Sequence, residues 1–259
     1  MHAIMTDDLS LKTGSFELQQ VCLSIPKEAI TTIVGPNGSG KSTILQLISR
    51  LKKADKGSVT IFGQDQYDYK PKSFAKTVAM LTQAKESMPN LTVEEIVSFG
   101  RTPYQSLYQH KLTEKDREII DEAMEITNIT SIKTKLFRHL SGGEQQRVRI
   151  ALAIAQRTDI LLLDEPTTYL DIAHQFEILE LLRSINKTYK LTIVMVLHDL
   201  AQAIYYSDYM IAVKDGRVRF KGKPQTIVDD SFLWEMYQIQ AKISYDHDFP
   251  TIVPKLRRN

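Results

Sequence analysis

Gly35-Pro36-Asn37-Gly38-Ser39-Gly40-Lys41-Ser42, followed by Thr43, fits the pattern G-x-x-x-x-G-K-[ST]. Glycines let a backbone wrap closely round an anion, so that its N–H groups and a helix start can face phosphate oxygens. Lys41 would reach the β- and γ-phosphates of a nucleoside triphosphate, and the Ser42 hydroxyl would ligate Mg²⁺. A second candidate is Ile160-Leu161-Leu162-Leu163-Asp164-Glu165, an apolar run ending in two carboxylates. One carboxylate held near Mg²⁺ and another beside it suit metal binding plus orientation or deprotonation of an attacking water. An acidic pair after an apolar run is common at strand ends. With a phosphate loop upstream it reads as the other half of a hydrolytic site.

Both candidates need elements to position them. The apolar stretch Ile30 to Val34 reads as a strand running into the loop, and Ile44, Leu47, Ile48 and Leu51 recur at helical spacing after it. Residues 160–163 read as a strand buried on both faces, which puts Asp164 at its C-terminal end, where open α/β sheets carry ligand chemistry. Further strands are expected near 16–25, 58–62 and 78–82. From 84 to 156 the pattern is mostly helical, with Thr92 and Thr113 placed as caps and Ile119, Ile120, Ala123 and Ile126 on one face. The β/α rhythm returns after 158, with a helix over 172–188, a strand over 191–197, another helix and a strand near 209–213. This predicts one α/β domain with a parallel sheet, its core formed by 1–83 and 157–259, and a helical subdomain over 84–156.

Composition narrows the classes. The 259 residues carry 33 Lys and Arg against 31 Asp and Glu, a net charge of +2 that asks for neither nucleic acid nor an anionic membrane. Cys22 is the only cysteine, so no intrachain disulfide can form, which fits a reducing compartment. No apolar run approaches the ~20 residues of a membrane helix, and the N-terminus lacks the charged and apolar regions of a signal peptide. The expected location is cytoplasmic, with any membrane reached through a partner. Of six histidines, His2, His110 and His247 fall in expected loops or tails, and His139 and His174 read as structural. No pair has metal-ligand spacing backed by other ligands, so no zinc site is expected.

Leu140-Ser141-Gly142-Gly143-Glu144-Gln145-Gln146-Arg147, read alone, is a Ser-capped helix start. Placed just upstream of the acidic strand, it makes the chain resemble the nucleotide-binding subunits of ABC transporters over nearly its whole length. It matches the signature motif of that family. Gln83 matches the Q-loop, Tyr169-Leu170-Asp171 the D-loop and His198 the switch histidine, all in the family's order. The resemblance implies a P-loop NTPase core of mainly parallel sheet with an antiparallel β subdomain, and an inserted helical signature subdomain. It also implies two copies packed head to tail around ATP and Mg²⁺. Ser141, Gly142 and Gly143 would then face the γ-phosphate held by the partner copy. Glu165 would polarise water, His198 would contact the γ-phosphate, Gln83 would contact Mg²⁺ or water, and Asp171 would link the two sites. The family's TyrGly dipeptide, whose tyrosine stacks on adenine, is replaced by Thr13-Gly14. Phe16 is the nearest substitute, though at strand spacing it equally suits the core.

The stretches 99–104 (PheGlyArgThrProTyr), 164–175 and 196–204 look like the importer subgroup that serves iron–siderophore, haem and cobalamin systems. That resemblance implies transmembrane permease subunits, contacted through residues 84–108, and indirectly an extracytoplasmic substrate-binding protein. Ferric siderophore is the expected cargo because it is the commonest in the subgroup; haem, cobalamin, an export substrate or a non-transport role are the alternatives. Residues past Gly222 are expected to complete the edge of the core rather than form a regulatory domain.

Overall fold

The computed structural model describes residues 1–82, 90–105 and 111–255. They form two compact units, Met1–Gln66 with Thr192–Asn259 and Tyr67–Leu191.

The first unit opens with β1 (His2–Thr13) and β2 (Phe16–Pro26), then β3 (Ile30–Val34), α1 (Lys41–Ile48), β4 (Lys56–Ile61) and β5 (Gln64–Asp65). Strands β2, β1, β4 and β5 form an antiparallel sheet in that order. All five residues of β3 are buried, as its unbroken apolar and threonine run demands. Helix α1 stops at Ile48, with Arg50 in the left-handed region. Leu51 therefore lies beyond the helix whose spacing it continues, and it is 60% exposed.

The second unit contains α2 (Pro71–Thr77), β6 (Val78–Leu81), α3 (Val93–Ser98), α4 (Glu114–Ile126), α5 (Gly142–Ala155), β7 (Ile160–Asp164) and α6 (Ile172–Tyr189). Strands β6 and β7 pair in parallel, with Leu81 opposite Leu163. Three helices start on reciprocal caps: Thr92 with Glu95, Thr113 with Asp116, and Ser141 with Glu144. Val93, Ile96, Val97, Ile120, Met124, Val148 and Ala151 form their shared core. Beside it, Arg101 Nε donates to Asp116 Oδ1 at 2.8 Å and Nη1 to Ala155 O at 2.7 Å, both side chains being nearly buried. Burial alone would raise the Asp116 pKa. The Thr113 hydroxyl and the Arg101 guanidinium outweigh it and hold the carboxyl below its usual range.

The chain then returns to the first unit through β8 (Thr192–Val196), α7 (Leu200–Tyr206), β9 (Tyr209–Lys214) and β10 (Arg217–Gly222). Strand β3 pairs in parallel with β8 on one side and β9 on the other. Past Gly222 come α8 (Pro224–Ile227), α9 (Asp230–Tyr237), β11 (Ala241–Asp246) and β12 (Phe249–Pro254). This segment completes the unit by packing, with Phe232 5.0 Å from Phe220 and Phe249 5.2 Å from Tyr205 between ring centroids. It adds no strand to the sheet of β3, because β11 and β12 pair only with each other among the described residues. No helix among those residues is long and apolar enough to cross a membrane.

Candidate functional site

In the first unit the loop from Gly35 to Gly40 joins β3 to α1. Gly40 caps the helix at φ 106°, a conformation that strains any side-chain-bearing residue. Gly35 passes so close to β9 that a β-carbon there would stand 1.9 Å from Val213 O. Lys41 is 5% exposed and folds back over the loop, its Nζ donating to Gly35 O and Pro36 O at 2.9 Å each. Ser39 Oγ is buried without a hydrogen-bond partner among the described residues, a state that costs about 1–3 kcal/mol unless an acceptor or donor reaches it. The first turn of α1 holds no acidic residue, so its partial positive charge is left for an anion. An orphaned hydroxyl, a buried ammonium and an uncompensated helix start fit phosphate.

Two other predicted residues share this unit. Leu197 N donates to Ile33 O at 3.3 Å, so β3 and β8 end together. The loop after β3 and the exposed His198 after β8 thus leave the same end of the sheet. Thr13 and Phe16 pair across the β1–β2 turn. The half-buried Phe16 ring reaches the phosphate loop, with Cζ 2.8 Å from where a Gly40 β-carbon would be.

In the second unit β7 is buried throughout and delivers Asp164, 6% exposed, at its C-terminal end. Glu165 follows at φ 55°, an uncommon conformation for this residue type that costs of order 1–3 kcal/mol and concentrates at functional sites. The Thr168 hydroxyl donates to Glu165 Oε2 at 3.0 Å and so fixes the carboxylate. Sequence reasoning missed Thr168, although a hydroxyl three residues after the glutamate was the available signal. Ser141 caps α5, accepting from Glu144 N at 3.3 Å while Glu144 Oε2 accepts from the Ser141 amide at 2.8 Å. Those amide and hydroxyl bonds hold the Glu144 pKa below its usual value. Gly142 and Gly143 form the first turn. Asp171 caps α6, and the large apolar residues on either side of the Leu170-Asp171 pair, Tyr169 and Ile172, are 73% and 74% exposed. Gln83 lies outside the described residues.

Residues 18–168 match the family model described as ABC transporter. The iron(3+)-hydroxamate import ATP-binding protein FhuC of Bacillus subtilis (strain 168) is 44% identical over 247 residues, 95% of this chain and 91% of that protein. The petrobactin import ATP-binding protein FpuC of Bacillus anthracis is 40% identical over 240 residues, 93% and 88% of the two chains. Among solved structures, the dimeric structure of MJ0796, a bacterial ABC transporter cassette, superimposes with a TM-score of 0.72 at 30% identity, covering 85% of this chain and 98% of that one.

Proposed function

The chain belongs to the ABC transporter family as one of its ATP-hydrolysing cassettes, and we propose that it powers uptake of a ferric siderophore through a separate membrane permease. The near-full-length likeness to import ATP-binding proteins for iron(3+)-hydroxamate and petrobactin carries this reading. The motor does not touch cargo, so the cargo class rests on those relatives. The proposed location is the cytoplasmic face of the membrane, with the permease as anchor and a substrate-binding protein acting from the other side.

In the proposed working state two copies meet head to tail. The exposed Tyr169 and Ile172 beside Asp171 support a contact surface there, and the MJ0796 cassette is described as dimeric. Lys41, the amides of the phosphate loop and the Ser39 hydroxyl hold the triphosphate of one copy. Ser141, Gly142 and Gly143 of the other copy close on its γ-phosphate with a helix N-terminus. Glu165 orients and deprotonates water, and His198 and Gln83 complete the set. Ser42, Asp164 and Gln83 offer only oxygen donors, which suits Mg²⁺, a hard cation that keeps waters and shares phosphate oxygens. When bound it would neutralise charge on the β- and γ-phosphates. Only the closed dimer engages both motifs, so ATP drives closure by differential binding.

The proposed permease contact includes 99–104, where two cations flank the Tyr104 ring. The Arg101 guanidinium lies 3.8 Å from the centre of the Tyr104 ring, and Lys76 Nζ lies 4.4 Å from it. Phe99 stands half-exposed on the same segment. Residues 84–89 and 106–108 of the expected contact lie outside the described residues.

Phe16 is the proposed stacking partner of adenine. Base stacking on an aromatic side chain is worth about 1–3 kcal/mol, so Phe16→Ala should weaken ATP binding about 5- to 150-fold while turnover at saturation stays near wild type. Titration with a fluorescent ATP analogue checks this, and an unchanged Kd removes Phe16 from the site.

Radioiron–siderophore uptake in cells lacking this gene tests the function as a whole. Loss of ferric hydroxamate or petrobactin uptake, restored by the wild-type gene, is expected. Unaffected uptake of every ferric siderophore tested would overturn the cargo assignment and turn the search to haem, cobalamin or an export substrate.

A further inference from the structure

Helices α5 and α6 begin side by side, joined by a histidine for which the proposed chemistry has no use. His174 Nδ1 lies 2.7 Å from Asp171 Oδ1, and the same oxygen accepts from the His174 backbone N–H at 2.9 Å. A carboxylate on Nδ1 fixes the neutral ring's proton there, so the ring donates to Asp171. The amide bond first, and the ring bond second, keep the Asp171 pKa below its usual range.

The other edge of the ring rests on Gly143. A β-carbon at 143 would stand 2.5 Å from His174 Cδ2 and 3.1 Å from Cγ and Nε2, so the ring fills the space that glycine leaves. About one turn further along each helix, Arg147 Nη2 donates to Glu177 Oε2 at 2.7 Å. The pairs 143–174 and 147–177 advance in the same direction, so the two N-termini lie together. Gln175 Nε2 also donates to Leu170 O at 2.9 Å, tying the turn before Asp171 to α6.

We propose that His174 is a positioning residue that locks the Asp171 loop to the start of α5, so that both move as one piece when the dimer closes. The inference rests on the two-site dimer proposed above. In that dimer Ser141 and Gly143 face one nucleotide while Asp171 reaches toward the other site. The His174 amide already holds the Asp171 carboxylate to the start of α6, and the ring carries that hold across to Gly143 on α5. With its Oδ1 pinned by a ring wedged on Gly143, any shift of α5 onto phosphate is passed to Asp171. Without the ring the two sites lose their link, although each keeps its own nucleotide contacts.

The two attachments of the ring can be separated. His174→Asn puts an amide N–H close to the position of Nδ1 and keeps the bond to Asp171, whereas His174→Phe keeps a ring over Gly143 and loses that bond. The measurements are steady-state ATP hydrolysis by the purified chain over a range of ATP concentrations, giving kcat, KM and the Hill coefficient, with a melting curve for each variant. His174→Ala and His174→Phe are expected to lower kcat about tenfold with KM within about twofold, as misplacement of a positioned group does. Their Hill coefficients should fall to 1 while melting stays at the wild-type temperature, and His174→Asn, which keeps the bond to Asp171 but has no ring on Gly143, should lose cooperativity as well. Wild-type kcat and Hill coefficient in His174→Ala would overturn the inference alone. So would full cooperativity in His174→Asn, or a loss of activity that follows the melting temperature. A wild-type chain that hydrolyses ATP without cooperativity and never dimerises would overturn the two-site reading, and the inference with it.

Discussion

Glu165→Gln is expected to bind ATP, to hydrolyse it about 10²- to 10⁴-fold more slowly than wild type and to accumulate as a closed dimer, because it should lose the proposed general base and little else. The amide is nearly isosteric with the carboxylate and keeps an oxygen for the Thr168 hydroxyl that donates to Oε2 at 3.0 Å. The backbone at φ 55° demands nothing of the side chain that glutamine lacks. ATP should therefore still close the proposed dimer, with the step that would reopen it blocked. Gel filtration with light scattering under ATP–Mg²⁺, beside a phosphate-release assay, checks both halves. Wild-type turnover would move the base elsewhere, and a monomer at saturating ATP would count against the composite site.

The motifs of the candidate site were legible because they are local. The phosphate loop, the acidic pair at the end of β7 and the cap at Ser141 each occupy a few consecutive residues, and the physics of a tight turn or a helix start leaves little choice of residue type. Strand β1 was not legible. Asp7 and Asp8 interrupt its alternation where the register shifts, and Asp8 turns into the left-handed region at φ 48°. The β11–β12 hairpin escaped for a related reason. Its two-residue turn, His247-Asp248, has both residues at positive φ but lacks the Asn-Gly or Asp-Gly pair that usually announces such a turn. Leu51 continued a helical spacing past the point where Arg50 ends the helix, since periodicity does not register a backbone turn. The His174 ring on Gly143 could not be read at all. The two residues lie far apart in sequence, and only packed helices bring them together.

Lys41→Ala should abolish transport and reduce ATP hydrolysis by about 10²- to 10³-fold, the usual cost of removing one charge aimed at a developing anion. Its structural environment makes a second and more discriminating prediction. Lys41 is 5% exposed, and its ammonium is held by two carbonyls of its own loop, Gly35 O and Pro36 O, each at 2.9 Å. A buried ammonium pays for desolvation, and relief of that penalty offsets the loss of its two hydrogen bonds when it is removed. Without nucleotide the variant should therefore melt at or above the wild-type temperature. Addition of ATP–Mg²⁺ reverses the order. At a hundred times its Kd a ligand stabilises the fold by about 2.7 kcal/mol, and the variant should forfeit most of that gain. Thermal melts with and without ATP–Mg²⁺ separate the two roles open to this side chain. A variant that melts lower without nucleotide and still gains fully from ATP would make Lys41 a strut of the loop. One that melts no lower and gains little keeps its charge assigned to the phosphate.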